Sequence, residues 1–127
     1  MAQKILLVED EPTLQKTLSL ALNQEGFEVK NALDGEIGLK TAGEEKPDLI
    51  LLDLILPKMD GFEVLTELKK KEETKEIPVI VLTNLESVQD IEKALSLGAT
   101  TYLVKANYDL KDVIAKVKDA IAKNQPK

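Results

Sequence analysis

Apolar residues along the chain keep two alternating rhythms. Five short runs rich in aliphatic and β-branched side chains, at 5–8, 27–32, 49–54, 77–82 and 102–104, read as buried strands. Between them apolar positions recur at three- and four-residue spacing. The first such segment opens on Pro12, puts Leu14, Leu18, Ala21 and Leu22 on one face and stops at Gly26. A helix over about 60–70 is expected to bury Val64, Leu65 and Leu68. Another over about 87–97 is expected to bury Val88, Ile91, Ala94 and Leu95 before Gly98 ends it. The last helix has the clearest pattern: Asp109 can cap it, and Leu110, Val113, Ile114, Val117, Ala120 and Ile121 form one buried stripe. Residues 34–44 carry the weakest helical signal, because Gly35, Gly38 and Gly43 oppose it. A helix is expected there mainly from the rhythm of the rest of the chain. Residues 71–76 read as a charged loop and 124–127 as a polar tail.

Strictly alternating strands and helices imply an α/β fold with a parallel sheet and helices on both faces, since right-handed crossovers return each strand to the same end. The expectation is one domain over 1–127, with its core at about 3–123 and no linker or repeat. Sheets of this kind bind ligands at the carboxyl ends of their strands. The residues predicted there are Glu9 and Asp10, then Asp53, then Thr83 and Asn84, and finally Lys105.

Composition narrows the chemistry. A chain of 127 residues with 43% hydrophobic content can bury a core without staples. It has no cysteine, which excludes disulfides, a thiolate nucleophile, a zinc–thiolate site and an iron–sulfur cluster, and suggests a cytoplasmic location. The apolar run at 5–8 is too short for a secretion signal or a membrane span. A net charge of −6 argues against direct nucleic-acid binding, which needs clustered Lys and Arg. Histidine is absent too, so the commonest general base is missing and any phosphohistidine donor must come from outside.

Three carboxylates in one crevice repel one another by roughly 4 kcal/mol per pair at about 4 Å and an effective dielectric near ~20. Three acids less the Lys105 charge leave −2, which a divalent cation would cancel. An all-oxygen donor set without His or Cys favours magnesium or manganese. Asp10 and Asp53 would bind it directly, the Ile55 carbonyl as a third ligand and Glu9 through a water. A carboxylate so placed can accept a phosphoryl group as an acyl phosphate if the charge on the transferring oxygens is neutralised. Lys105, the Thr83 hydroxyl and a backbone N–H near Asn84 would supply the remaining contacts.

Each residue also has a plain structural reading. Glu9 and Asp10 ahead of Pro12 suit a helix N-terminus, Thr83 could cap a helix, Lys105 could be a solvated charge and Tyr102 a packing residue with its hydroxyl at the rim. Asp53 is harder to dismiss, because an acid ending an apolar run is costly if buried unpaired. All of them at one end of one sheet favours a common site.

The residues Val8-Glu9-Asp10, Asp53 to Gly61, Val81-Leu82-Thr83 and Tyr102-Leu103-Val104-Lys105 resemble those of the receiver domains of two-component response regulators, over nearly the whole chain. The resemblance implies a CheY-like, flavodoxin-like (βα)5 fold with strand order 2-1-3-4-5. It implies that a histidine kinase or phosphotransfer protein phosphorylates Asp53, with magnesium on Asp10 and Asp53 and on Glu9 through water, and with Lys105 on the phosphoryl group. Thr83 would move toward that group and Tyr102 turn inward behind it. That would alter the face formed by the fourth helix, fifth strand and fifth helix, which would signal to a downstream protein. Such a domain is no enzyme beyond magnesium-dependent self-phosphorylation and slow loss of the group.

The chain departs from the family pattern at four positions. Ala106 replaces the usual proline after the lysine, so the Lys105–Ala106 bond is either trans in an altered loop or a strained cis bond. Asn84 replaces a small residue and narrows access to the site. Ile55 and Leu85 are apolar where some relatives assist water attack, which predicts a long-lived phosphorylated state. With no output domain after residue 127, the signal is expected to pass by protein contact. The rival readings are a phosphate-independent interaction module, which should have lost the acids and lysine, and an aspartyl-nucleophile phosphohydrolase, which needs a second acid where Ile55 stands. A flavodoxin-like cofactor binder would need a Ser-, Thr- and Gly-rich loop in place of Glu9-Asp10-Glu11.

Overall fold

In the computed structural model, which describes residues 2–123, the elements are β1 (Lys4–Val8), α1 (Pro12–Gln24), β2 (Glu28–Ala32), α2 (Gly35–Glu45), β3 (Leu49–Leu52), α3 (Gly61–Lys70), β4 (Val79–Thr83), α4 (Val88–Ser96), β5 (Thr101–Val104), a 3-10 turn (Lys105–Asn107) and α5 (Leu110–Lys123). The tail expected at 124–127 lies outside the described residues. All strand pairs are parallel, in the order β2-β1-β3-β4-β5. This is the flavodoxin-like order expected from the resemblance.

The strands are apolar along their whole length because both faces of the sheet are covered. Ile5, Leu7, Leu49, Leu51, Ile80, Leu82 and Leu103 pack under α1 and α5, against Leu18, Leu22, Val113, Val117 and Ile121. Leu6, Val8, Ile50, Leu52, Val79 and Val81 face the other layer, where α2, α3 and α4 contribute Ala42, Val64, Leu65, Leu68 and Ala94. Register then places the polar residues. Val8 lies opposite Leu52, and Thr83 opposite Val104, so Glu9, Asp53, Thr83 and Lys105 emerge together at the carboxyl edge.

The glycines that spoke against α2 are what allow it to sit where it does. A Cβ on Gly35 would run into the Met59 carbonyl, and one on Gly38 would lie 2.9 Å from the Val8 side chain. Close packing onto β1 and the β3–α3 loop outweighs the weak propensity. The helix is also capped: the Asp34 carboxylate accepts the Ile37 N–H at 2.8 Å.

Two burial expectations are corrected. In α4 only Ala94 is buried, while Val88 and Leu95 are 67% and 46% exposed. Leu110, at the very start of α5, is exposed as well. Periodicity sets which residues share a face, but not whether a neighbour covers it. Strand limits also shift: Phe27 and Ile77 precede their strands, and Asp53 and Leu54 follow β3.

The charged loop at 71–76 hides one polar anchor. Thr74 is buried, and its hydroxyl donates to the Leu68 carbonyl at 2.7 Å near the end of α3. Thr74→Val should leave that carbonyl without its donor and cost about 1–2 kcal/mol in urea unfolding. An unchanged midpoint would mean the bond contributes nothing. No described helix is long and apolar enough to cross a membrane.

Candidate functional site

Main-chain bonds bring the acids together. The Glu9 N–H donates to the Ala32 carbonyl and the Asp53 N–H to the Val8 carbonyl, both at 3.0 Å, which extends the sheet by one residue on each side. The two side chains are buried, at 2% and 5% exposure, while Asp10 is exposed. Glu9, Asp10 and Asp53 each place a carboxylate oxygen within 4.8 Å of the others. Gly61 closes the loop behind them: its N–H donates to the Leu54 carbonyl at 2.9 Å.

Lys105 reaches into this cluster from the end of β5. Its ammonium lies 2.8 Å from Glu9 Oε1 and 2.9 Å from Asp53 Oδ2. Burial opposes the Lys105 charge, but the hydrogen bonds to Glu9 and Asp53 outweigh it and raise the pKa. Burial likewise pushes the Glu9 carboxyl up, against the opposing pull of Lys105 and the Glu11 N–H. That N–H donates to Glu9 Oε2 at 3.1 Å, and the Ile55 N–H donates to Asp53 Oδ1 at 3.2 Å. Each buried carboxylate is therefore held by one main-chain donor and by the shared lysine.

Thr83 is fully buried at the end of β4, and its Oγ1 accepts the Leu85 N–H at 3.5 Å. Tyr102 is half-buried, with its hydroxyl donating to the Leu85 carbonyl at 2.8 Å. Its hydroxyl is thus tied to the β4–α4 loop and not left at the rim. Asn84 and Ala106, which follow Thr83 and Lys105 in the chain, are both exposed. The described residues contain no cis peptide, so Lys105–Ala106 is trans, and the loop turns through the 3-10 geometry of Lys105–Asn107.

Residues 5–118 match the family described as response regulator receiver domain. The chain belongs to this family. Among curated proteins it is similar to the DNA-binding dual master transcriptional regulator RpaA of Synechocystis sp., at 40% identity over 115 residues, 91% of this chain and 47% of that protein. The chain spans about half the length of the curated relatives it matches. A CheY-like receiver domain protein from Methanospirillum hungatei JF-1 superposes at a TM-score of 0.91 with 27% identity, over 98% of this chain and 97% of that one. The receiver domain of the sensor histidine kinase PA1611 from Pseudomonas aeruginosa PAO1, solved with magnesium coordinated in its active-site cleft, gives 0.87 with 30% identity, over 96% and 99%.

The donor set of this receiver domain suits such an ion: three carboxylates within reach of one another and no nitrogen or sulfur ligand among them. Sequence reasoning missed the main-chain contributions, the Ile55 and Glu11 N–H groups and the Leu85 peptide. No side-chain identity signals them. It also had Lys105 acting on a phosphoryl group and missed its pairing with Glu9.

Proposed function

We propose that this receiver domain accepts a phosphoryl group on Asp53 and passes the signal on through the surface of α4, β5 and α5. The observation that carries the reading is a buried Asp53 carboxylate gripped by Lys105 and Ile55, with the Glu9 and Asp10 carboxylates beside it. A carboxylate oxygen of Asp53 attacks phosphorus, the bond from phosphorus to the donor's leaving atom breaks, and the leaving group departs with its electron pair. Because the chain has no histidine, the phosphohistidine belongs to a kinase or phosphotransfer protein.

Magnesium, when bound, supplies positive charge opposite the transferring oxygens. Asp10, Asp53 and the Ile55 carbonyl would hold it, with Glu9 acting through a water, and manganese suits the same oxygens. Lys105 exchanges its Asp53 contact for the phosphoryl group, and the Thr83 hydroxyl and the Asn84 N–H donate to that group. Thr83 and Tyr102 bond to the N–H and the carbonyl of Leu85 respectively, which links acceptor chemistry to the α4 end of the molecule. The outgoing signal goes to a protein target in the cytoplasm, and the −6 charge of this single domain argues against its touching nucleic acid directly. Ile55 sets an exposed aliphatic side chain two positions beyond Asp53, which slows water attack and prolongs the phosphorylated state.

Intact-mass analysis after incubation with acetyl phosphate or phosphoramidate tests this reading. One phosphoryl group should be gained with magnesium and none after chelation. No gain from either donor at millimolar magnesium would sink it.

A further inference from the structure

The lysine that reaches Glu9 and Asp53 stands on a weakly closed turn. Lys105 begins the 3-10 turn Lys105–Asn107, and the bond that closes it, from the Tyr108 N–H to the Lys105 carbonyl, is long at 3.5 Å. Ala106 and Asn107 are exposed, and Ala106 has no ring to fix its φ. The far side of the turn is firmer. There the Asp109 carboxylate accepts the Asp112 N–H at 2.9 Å and the Asp112 carboxylate accepts the Asp109 N–H at 3.4 Å, which fixes the start of α5. Tyr108 lies between the two. It is half-buried and packs on the apolar core under α1 and α5. With Lys105 it also walls a cavity of about 120 Å³, lined further by Leu14, Leu18, Leu82 and Val113.

We infer that Tyr108 is a positioning residue for Lys105: its ring, seated on the core, holds the turn so that the ammonium stays on Glu9 and Asp53. A lysine carries its charge on a flexible four-carbon stem, so contacts of 2.8 and 2.9 Å to two carboxylates depend on a fixed main chain at its root. Removing the ring would add its volume to the cavity already there and give the turn room to sink, drawing the ammonium back. Two properties then move in opposite directions. A withdrawn ammonium competes less with a divalent cation for Glu9 and Asp53, so magnesium binds more tightly. The same withdrawal deprives a transferring phosphoryl group of one positive charge, so uptake slows. Only this second effect rests on the reading of Asp53 as the acceptor.

Calorimetric titration with magnesium, beside intact-mass time courses with acetyl phosphate, tests the inference on the full chain. Tyr108→Ala should bind magnesium about threefold more tightly yet gain the phosphoryl group about fivefold more slowly at saturating magnesium. Tyr108→Phe keeps the ring and should match wild type in both. Tyr108→Leu, a milder loss of packing, should fall between them and serves if the alanine variant does not fold. On a Lys105→Ala background, Tyr108→Ala should change magnesium affinity no further, because it acts through the lysine. Magnesium affinity that falls in Tyr108→Ala would overturn the inference, since general loosening of the site does that. An unchanged affinity would overturn it too, as would full additivity with Lys105→Ala. If wild type gains no phosphoryl group, the acceptor reading fails while the magnesium titrations still decide the role of Tyr108.

Discussion

Asp53→Asn is expected to abolish phosphoryl uptake from acetyl phosphate or phosphoramidate while leaving the domain folded. An amide oxygen is far too poor a nucleophile to take a phosphoryl group under conditions where a carboxylate does. The fold should survive because two effects oppose each other. The substitution removes the Asp53 pairing with Lys105, 2.9 Å away, yet it also removes a negative charge beside Glu9 and Asp10. Its remaining oxygen can still accept the Ile55 N–H. The net change in stability should fall within about 1 kcal/mol.

Glu9 gives this variant a pH signature. Its carboxyl is raised first by burial, with the Asp53 charge adding to the shift. A raised carboxyl contributes stability that is complete below its unfolded value and lost as pH rises through the folded one. Without the Asp53 charge the Glu9 shift shrinks, so the variant should lose less stability than wild type across that window. Urea midpoints between acid and neutral pH, measured beside intact mass, check both parts. A phosphoryl gain equal to wild type would place the acceptor elsewhere.

The second large effect is expected at Gly61. A Cβ there would collide with the Asp53 carbonyl and the Leu54 Cα, and both are main-chain atoms with no rotamer to move. Gly61→Ala should therefore cost about 3 kcal/mol in urea unfolding, the upper end of ordinary overpacking. Whatever backbone shift relieves the clash moves the segment that carries Asp53. Magnesium affinity, read by calorimetry, should fall by about tenfold, as when a ligand's supporting contacts are altered. Wild-type stability and affinity in this variant would show that the β3–α3 loop yields freely.

Much of the architecture was legible because its signals are local. Aliphatic runs and glycine stops located every strand and helix to within a few residues, and Pro12 and Asp60 marked helix starts. Residues 34–44 were read least securely, since propensity judges Gly35 and Gly38 by their own backbone freedom and not by how closely β1 and Met59 approach. The apolar stripe of α4 was legible too, but its partial exposure was not. Val88 and Leu95 carry the same spacing signal as the buried Val113 and Val117 of α5.

By itself the sequence determined the fold class and the set of acids, hydroxyl and lysine at the strand ends, because the apolar runs locate the strands and their alternation with helices makes them parallel. Only the tertiary structure decided how those groups hold one another. Lys105 meets Asp53 across 52 positions of chain, and it is shared with Glu9 because three successive parallel registers bring β1, β3 and β5 into one crevice. The main-chain donors of Ile55, Glu11 and Leu85 are likewise invisible in a string of side chains. Every residue but proline owns the same N–H, and its direction depends on how the loop is packed.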